Sequence, residues 1–436
     1  MTRFPLAGEF VLDLSSGIAG GYCTKILADG GADVVKIEAP SGDPLRSWSA
    51  SGALIEPGDD GALFRCLASS KRSVVVDPGS EAGLSRLQDL LRSAQGIVWS
   101  PGSALAERPE FSPVALHEMA PGATITAITP FGLSGPWVGR PATEATLQAW
   151  AGGAGQRGTL ANAPLLVGGR IGDWEAGLVG GVAYLMSRHR RIRGGPGEIV
   201  DVSGLESQCL TMIVHPVTWF EMAGYPMRDH RMANLPGIHP ARDGIVGFMC
   251  VTGQQWLDFA VMVGQSGWVD DASLLKFGVR TQRYDELCTA VNDWTSHRTV
   301  ADIVALATAM RVPVAEVSSA ATLLQAEHLT AKNWFVKNPR GGFLQPDVPY
   351  TLGASAARAA RASPSTRRAH RDRARSRGRR YGYIAADEVH RPAVRWAARG
   401  RLHRQLGGPD YHPRSRDVRC RCHQDRISCP AGRPAV

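Results

Sequence analysis

Short apolar segments alternate with longer segments of helical spacing between residues 10 and 129. FVLDL at 10–14 is a short apolar run, and AGGYCTKILADGG after it has helical spacing and stops at Gly30–Gly31. The apolar run ADVVKIE completes a strand–helix–strand unit, which favours parallel pairing, so the pattern predicts an α/β fold around an open parallel sheet. The predicted strands are 10–14, 32–38, 73–77, 96–99 and 123–129, with helices at about 80–93 and 103–119.

The pattern is less regular beyond this sheet. A Gly- and Pro-rich loop precedes further predicted elements: helices near 144–151 and 174–189, the glycine-rich segment LLVGGRIGD at 165–173, a turn and strand at 194–203, and a helix at about 204–222. The predicted organisation is a large domain at 1–224, a turn-rich linker at 225–244, a small α+β domain at 245–318, a return to the large domain at 319–353 and an arginine-rich tail at 354–436.

The net charge of +9 is concentrated in the tail, which holds 21 arginines, no lysine and 6 acidic residues. The rest of the chain is mildly acidic and gives no reason to expect nucleic-acid binding. The sequence contains no run of about 18 apolar residues, so we predict no membrane span. The N-terminus has no signal-peptide pattern, and five scattered cysteines before the tail are typical of reduced thiols, so we expect a cytoplasmic location.

The tail contains RCRCHQDRISC (419–429), but its C-x-C-H-x5-C spacing matches no strong zinc pattern, so we predict no metal site. When the codons are read one base later, residues 419–428 permit GADVIKIES, which resembles GADVVKIEA at 31–39. The same shift makes 400–409 resemble 12–21, with the same separation between the two blocks. We therefore predict a disordered, frameshifted start of a second copy of the first domain. A functional basic tail is the alternative.

The segment DLSSGIAGGY resembles a dinucleotide-binding fingerprint, because it opens a helix after a strand. That fingerprint needs G-x-G-x-x-G so that the backbone can approach a pyrophosphate. Here the glycines are Gly17, Gly20 and Gly21, so the first spacing is wrong. An NAD-dependent oxidoreductase therefore stays a remote alternative, and tight helix–sheet packing is the simpler explanation of the glycines.

Four blocks together resemble the family III CoA-transferases: 11–46, SSKRSVVVD (69–77), ITPFGLSGPWVGRP (128–141) and the stretch from GGRIGDWEAGL to GEIVDVSGLES (168–207). The resemblance implies a Rossmann-like large domain, a small domain and an interlocked homodimer. It also implies a coenzyme A thioester as a substrate, with no tightly bound cofactor. The family's C-terminal ending is matched only in the shifted frame, over 366–373, which places the frame change between about 354 and 365.

The resemblance implies that Asp173, in GGRIGDW, is the nucleophile. The carboxylate would attack an acyl-CoA to give a mixed anhydride and then an aspartyl-CoA thioester, from which an acceptor carboxylate takes the CoA. A helix N-terminus would favour its ionised form, and Gly168, Gly169 and Gly172 would allow close approach of substrate. The alternative for a lone aspartate before a helix is an ordinary N-cap.

Family contacts to CoA map by position onto Ile18 and Ala19, onto Lys71 and Arg72, and onto Thr143 and Glu144. Without the resemblance, Lys71–Arg72 would be read as a solvated entry to a strand. Formyl-CoA transferase has glutamine in place of Ile18, which favours a larger, apolar acyl group here.

The same fold occurs in α-methylacyl-CoA racemases, which need two proton carriers on opposite faces of the α-carbon. Their histidine falls at Thr143, and threonine cannot carry a proton near neutral pH, so the sequence favours CoA transfer. An inactive, truncated product of a shifted gene is a further alternative.

Overall fold

A six-stranded parallel sheet forms the centre of the computed structural model, which describes residues 4–158, 163–213 and 235–352. The described residues all belong to one compact unit. The strand order is β3-β2-β1-β4-β5-β6, with all neighbours parallel. The strands are β1 (Phe10–Leu14), β2 (Asp33–Glu38), β3 (Arg72–Val75), β4 (Gly96–Trp99), β5 (Thr124–Thr129) and β6 (Glu198–Ser203). The predicted α/β fold with a parallel sheet is confirmed.

Both faces of this sheet are buried. Along β1, Val11 packs into one core cluster, and Leu12 and Leu14 pack into another. Strands covered on both faces read as nearly continuous apolar runs, which is why the sequence pattern located them. The helices of this region are α1 (Gly17–Asp29), α2 (Ala62–Leu67), α3 (Glu81–Ser93), α4 (Pro113–Met119), α5 (Glu144–Trp150), α6 (Ile171–Arg191) and α7 (Gly204–Gln208).

The predicted helix at 103–119 is too long. The structure has a 3₁₀ turn at Pro109–Phe111, and α4 begins only at Pro113. Proline is disfavoured inside a helix but suits its first position. The Ser112 hydroxyl accepts the Ala115 N–H at 3.3 Å and caps this start.

Helix α6 begins three residues before the predicted helix at 174–189 and packs closely on α1. A Cβ atom at Gly177 would lie only 2.5 Å from the Ala19 carbonyl oxygen, and one at Gly180 would lie 2.8 Å from Ile128. The glycines of α6 therefore let its backbone approach α1 and the sheet. This contact fixes the position of the first turn of α6, which contains Asp173.

A second hydrophobic core lies between Leu235 and Val312 and includes Trp256 and Phe259. It packs under the antiparallel strands β7 (Ile238–Pro240), β8 (Ile245–Phe248) and β9 (Val314–Glu316). Its helices are α8 (Gly253–Met262), α9 (Ser266–Asp270), α10 (Phe277–Gln282), α11 (Tyr284–Ser296) and α12 (Val300–Ala309). Strand β7 lies inside the predicted linker 225–244, so this part of the linker belongs to the small sheet.

The last described segment contains α13 (Ala320–Leu323), α14 (Glu327–Ala331) and an antiparallel hairpin of β10 (Phe335–Lys337) and β11 (Leu344–Pro346). The Asn338 side chain in this hairpin donates to the Arg65 carbonyl at 3.1 Å, which holds the hairpin against the large domain. The domain boundaries themselves stay predictions.

Several sequence predictions lie outside the described residues: the end of the helix at 204–222, the first part of the linker and the arginine-rich tail at 354–436. Within the described ranges, no helix is both long enough and apolar enough to cross a membrane.

Candidate active site

The strand order reverses between β1 and β4, because the chain adds β2 and β3 on one side and β5 and β6 on the other. Ligands of open parallel sheets bind outside the carboxyl ends of the strands at such a point. A small polar cleft of about 100 Å³ lies there, which we call the carboxyl-end cleft. Its lining includes Ser15 and Ser16 after β1, Lys36–Ala39 around the end of β2, and Gly102–Ala104 after β4.

A larger cleft of about 570 Å³, the central cleft, lies between α1, the first turn of α6 and the β10–β11 hairpin. Its volume suits a small organic ligand. The lining is mainly apolar and includes Ile18, Trp48, Leu63, Trp174, Phe343, Leu344 and Pro346, together with Gly169 and Arg170. A third cavity of about 250 Å³ beside Phe4 and Tyr350 is lined by none of the predicted site residues, so we place the chemistry at the other two.

Asp173 lies in the first turn of α6, between the cleft-lining residues Arg170 and Trp174. It is not the N-cap of the helix, because Arg170 occupies that position, with φ of 55°. Left-handed backbone is uncommon for a residue other than glycine and is often found at functional sites. The Arg170 guanidinium lies 2.5 Å from the Asp173 carboxylate. The residue with the left-handed backbone is therefore also the one that forms an ion pair with Asp173.

The Asp173 side chain is only 19% exposed. Burial raises the pKa of this carboxyl, Arg170 lowers it and the nearby Glu144 raises it, with a net increase over an ordinary aspartate. The expected stabilisation of the anion at the helix start is therefore outweighed by burial. A desolvated carboxylate of raised pKa is a stronger nucleophile than a solvated one when it is ionised.

Glu144 is held against the start of α6. Its Oε1 atom accepts the Gly172 N–H at 3.0 Å and the Gln148 side-chain amide at 2.6 Å. Gln148 also binds both the N–H and the carbonyl of Val167, at 2.9 Å each. These contacts fix the loop that leads to Asp173. Thr143 is the exposed N-cap of α5, and its hydroxyl accepts the Thr146 N–H at 3.3 Å.

Ile18 lines the central cleft, whereas Ala19 lies on the α1 surface that packs against Gly177. The structure therefore brings Ile18, Glu144 and Asp173 to the same region, around the first turn of α6. A Cβ atom added at Gly168 or Gly169 would meet no described atom within 4 Å, which agrees with an open approach. Gly172 is different, because the space for a Cβ atom there is taken by the side chain of Gln208.

Lys71 and Arg72 are occupied elsewhere. The Lys71 ammonium is buried and donates to Thr24 Oγ1 at 2.6 Å, to the Gly21 carbonyl at 2.8 Å and to Asp13 at 3.2 Å. Arg72 is exposed and forms two hydrogen bonds with Asp33. Arg72 and Asp33 lie at the amino-terminal ends of β3 and β2, opposite to the carboxyl-end cleft. These positions give little support to phosphate contacts by either side chain.

Asp13 is the centre of this buried group of charges. Burial would raise its pKa, but Lys36, Lys71 and hydrogen bonds from Ser15 and Thr24 lower it to about 2. The carboxylate accepts the Ser15 hydroxyl at 2.5 Å and the Thr24 hydroxyl at 2.7 Å. It thereby joins the start of α1 to β1 and to the segment before β3.

The glycines of the DLSSGIAGGY segment have packing roles. A Cβ at Gly20 would lie 2.1 Å from the Ser15 side chain, and one at Gly21 would contact Leu67 at 3.4 Å. Gly17 starts α1 with φ of 79°. The geometry therefore supports the simpler explanation of these glycines, tight packing of α1.

Sequence reasoning missed Arg170, Gln148 and Gln208. The RIGDW segment could have suggested an Arg170–Asp173 pair from their i, i+3 spacing. Nothing local in the sequence indicates Gln148 or Gln208, because their sites are formed by segments distant in the chain.

Known proteins resemble this chain in sequence and fold. It matches CoA-transferase family III over residues 6–369. A probable CoA-transferase of Mycobacterium tuberculosis is 28% identical over 335 residues, which cover 74% of this chain but only 41% of that protein. A formyl-CoA:oxalate CoA-transferase of Streptomyces coelicolor is 26% identical, with 81% of this chain and 91% of that protein covered.

A solved structure shows the same fold. A CaiB/BaiF family protein from Brucella suis superposes with a TM-score of 0.72 at 22% identity, covering 83% of this chain and 96% of that one. The likeness supports the architecture, and the sequence match over most of the chain settles its relationship. The chain belongs to CoA-transferase family III.

Proposed function

We propose that this chain transfers CoA from an acyl-CoA thioester to a free carboxylate, with Asp173 as the covalent nucleophile. The observation that carries the proposal is the placement of Asp173. Its desolvated carboxylate lies in the first turn of α6, between two residues that line a cleft of substrate size. The family membership supports the reaction class.

In the first step, an Asp173 oxygen attacks the thioester carbonyl carbon. A carbon–oxygen bond forms, the carbon–sulfur bond breaks, and the sulfur leaves with its electron pair as the CoA thiolate, which gives a mixed anhydride. The thiolate then attacks the Asp173 carbonyl carbon. The bond from that carbon to the bridging anhydride oxygen breaks, so the first carboxylate leaves and an aspartyl-CoA thioester remains.

The acceptor carboxylate reverses these steps. It attacks the aspartyl thioester and releases CoA thiolate, which takes the new acyl group from the second anhydride. Asp173 is then a free carboxylate again. The sequence of steps needs no proton transfer, which agrees with a central cleft whose described lining residues include no histidine. The apolar lining would protect the anhydrides from hydrolysis.

Arg170 and Glu144 would tune the nucleophile. Arg170 pairs with the carboxylate and lowers its pKa, which favours the ionised form. Glu144 raises that pKa, and its bond to the Gly172 N–H holds the turn. We assign Glu144 to this positioning role. Thr143 remains a weaker candidate contact, because its hydroxyl already caps α5.

The carboxyl-end cleft is the place we propose for the phosphate-bearing part of CoA. It is polar and opens at the start of α1, where the positive end of a helix dipole favours phosphate. Ile18 and Ala19 follow that start and would contact the coenzyme between the two clefts. Lys71 and Arg72 would support the site only indirectly, since their side chains already have partners.

The acyl group is proposed to be larger and mainly apolar. Among the described residues that line the central cleft, Arg170 is the cationic one, and it already pairs with Asp173. This lining therefore offers no separate cation for the second carboxylate of a diacid. Relatives named for succinyl-CoA and oxalate act on such acids, so specificity would differ here.

The test incubates the protein with a panel of acyl-CoA donors and carboxylate acceptors, and follows the new thioesters by chromatography. We expect exchange with apolar acyl groups, and its loss in Asp173→Ala. Unchanged exchange by Asp173→Ala would overturn the mechanism. Deuterium incorporation at the α-carbon without exchange would instead favour the racemase.

The predicted homodimer is supported by an exposed apolar stripe on α6. Leu178, Val182, Leu185 and Met186 follow helical spacing and are all exposed. Light scattering would show a mass of twice the chain if a second copy covers this stripe, and a monomeric mass would contradict the prediction.

The second-unit prediction for the tail rests on sequence alone. It would be tested by resequencing the codons around residues 354–365. A frame change there supports it, and an unchanged frame with an ordered tail contradicts it.

A further inference from the structure

The Gln208 side chain is completely buried at the C-terminal end of α7. Neither its amide nitrogen nor its carbonyl oxygen has a hydrogen-bond partner in the part of the chain that the structure describes. A buried amide without a partner destabilises a folded protein, and native structures rarely contain one without a reason. Gln208 therefore needs an explanation beyond packing.

The amide lies against the first turn of α6. Its Nε2 atom is 2.2 Å from the position that a Cβ on residue 172 would occupy, so the amide fills the space left by Gly172, one residue before Asp173. The chain after Gln208 forms a π-helical turn at Cys209–Ile213, a feature often found at functional sites. In that turn, Thr211 donates to Glu175 of α6 at 2.7 Å, which ties the two segments together.

Two backbone donors near Asp173 are already in use, and the Arg170 guanidinium, which lies on the carboxylate, is a cationic donor. The Gly172 N–H binds Glu144, and the Asp173 N–H donates to the Arg170 carbonyl at 3.0 Å. The Gln208 amide is thus a neutral donor without a partner among the described residues, and it packs against the turn that carries the proposed nucleophile. A group that acts only on a transient species would have this appearance when no reaction is under way.

The proposed reaction creates such a species. When CoA thiolate attacks the Asp173 carbonyl carbon, the electron pair of the carbon–oxygen double bond moves onto the Asp173 oxygen. The charge returns when the bond to the bridging oxygen breaks and the carboxylate leaves. This oxyanion belongs to the protein's own aspartate, so a fixed protein donor can stabilise it.

We propose that the Gln208 side-chain amide donates a hydrogen bond to the Asp173 oxygen in these tetrahedral intermediates. This role rests on the proposed function. It explains why the amide has no partner among the described residues. It also explains why residue 172 has no side chain, since a methyl group there would displace the amide.

The test compares Gln208→Met, which keeps the length but removes the donor, with Thr126→Val as a matched control. The Thr126 hydroxyl is also buried without a partner among the described residues, but it lies within the sheet. For Gln208→Met we expect kcat to fall on the order of 10²-fold. KM for the acyl-CoA should stay within about twofold and the melting temperature should not fall, because ground-state binding and packing are kept. Thr126→Val should keep kcat unchanged.

Gly172→Ala provides a second route, since the added methyl group would displace the amide while leaving it present. We expect a reduced kcat, and no further loss when Gly172→Ala is added to Gln208→Met, because both changes remove the same contact. The same comparison can be made if Gln208→Met proves less stable than the wild type. If the losses in kcat of the two single variants add in the folded double variant, the role of Gln208 is overturned.

Two failures are distinguishable. If the wild-type protein forms the Asp173 adduct and Gln208→Met turns over at the same rate, the role of Gln208 is refuted and the proposed function stands. If the wild-type protein shows neither exchange nor adduct with any donor, the proposed function fails and this inference fails with it.

Discussion

Two helices of the large domain begin beside a carboxylate that is buried in one case and partly buried in the other, and the surroundings of the two carboxylates differ. At the start of α1, Asp13 has two lysines and two hydroxyl donors, and its pKa is lowered to about 2. At the start of α6, Asp173 has one exposed arginine, and its pKa is raised. The ionised form of Asp13 is therefore stabilised by its partners. The ionised form of Asp173 is less stable than that of an ordinary aspartate, and Asp173 lies next to a cleft.

The comparison separates two uses of buried charge. A carboxylate with a full set of partners has little tendency to form a covalent bond, and it links distant segments of the fold. A carboxylate with few partners costs stability but remains reactive. The Gln208 amide, which has no partner in the part of the chain that the structure describes, belongs to the second kind of environment, and the fully engaged Lys71 belongs to the first.

The largest expected effect is on catalysis. Asp173→Asn should lower kcat by at least about 10³-fold, because loss of a covalent nucleophile removes the main pathway. The folded protein should not be less stable at neutral pH, since a desolvated carboxylate is removed. The raised pKa means that the wild type loses stability as pH rises above about 4. The stability of Asp173→Asn relative to the wild type should therefore increase as pH rises above about 4, which denaturant titration at several pH values would show.

Asp13→Asn should have the opposite signature. The buried Lys71 would lose its carboxylate partner, and the buried Lys36 would keep Asp43 but lose its second carboxylate, at a cost of about 3–5 kcal/mol in the free energy of unfolding. Because the folded pKa is about 2, below its ordinary value, this stabilisation is present above about pH 4 and is lost as pH falls toward 2. Chemical denaturation at several pH values checks this, and an unchanged stability at pH 7 would contradict the assigned role.

Arg170→Gln and Glu144→Gln should move the acid limb of the pH–rate profile in opposite directions. Arg170 lowers the pKa of Asp173, so its loss raises the pH needed for activity. Glu144 raises that pKa, so its loss shifts the limb to lower pH. Shifts in the same direction would show that the limb reports a group other than Asp173.

The smallest effects distinguish Lys71 from Arg72. Lys71→Met should reduce the unfolding free energy by about 1.5–3 kcal/mol, because it removes buried, charge-assisted hydrogen bonds. Arg72→Ala removes an exposed pair and should cost about 0–1 kcal/mol. KM for the acyl-CoA should change little in either variant. A large rise in KM would instead support the contact between these residues and CoA that the family resemblance implies.

The sequence predicted the parallel sheet because its strands are buried on both faces and read as apolar runs. It did not predict the break before α4, because that break depends on two prolines within a longer helical pattern. Asp173 was found through family resemblance, since one aspartate near a helix start has an ordinary N-cap explanation. The structure places it inside the first turn, with Arg170 at the cap.

Long-range contacts account for what the sequence could not predict. Lys71 looked exposed in SSKRS, but its partner Asp13 lies 58 positions earlier. Gln208 reaches Gly172 only because α7 packs on α6.

The central claim is that Asp173 forms a covalent bond during CoA transfer. Mass spectrometry of the intact protein after brief incubation with an apolar acyl-CoA, followed by peptide mapping, tests it most directly. We predict an added mass of the acyl group or of CoA on the peptide that contains Asp173, and none on Asp173→Asn. Rapid exchange by the wild type without an adduct on that peptide, together with full activity of Asp173→Asn, would contradict the account.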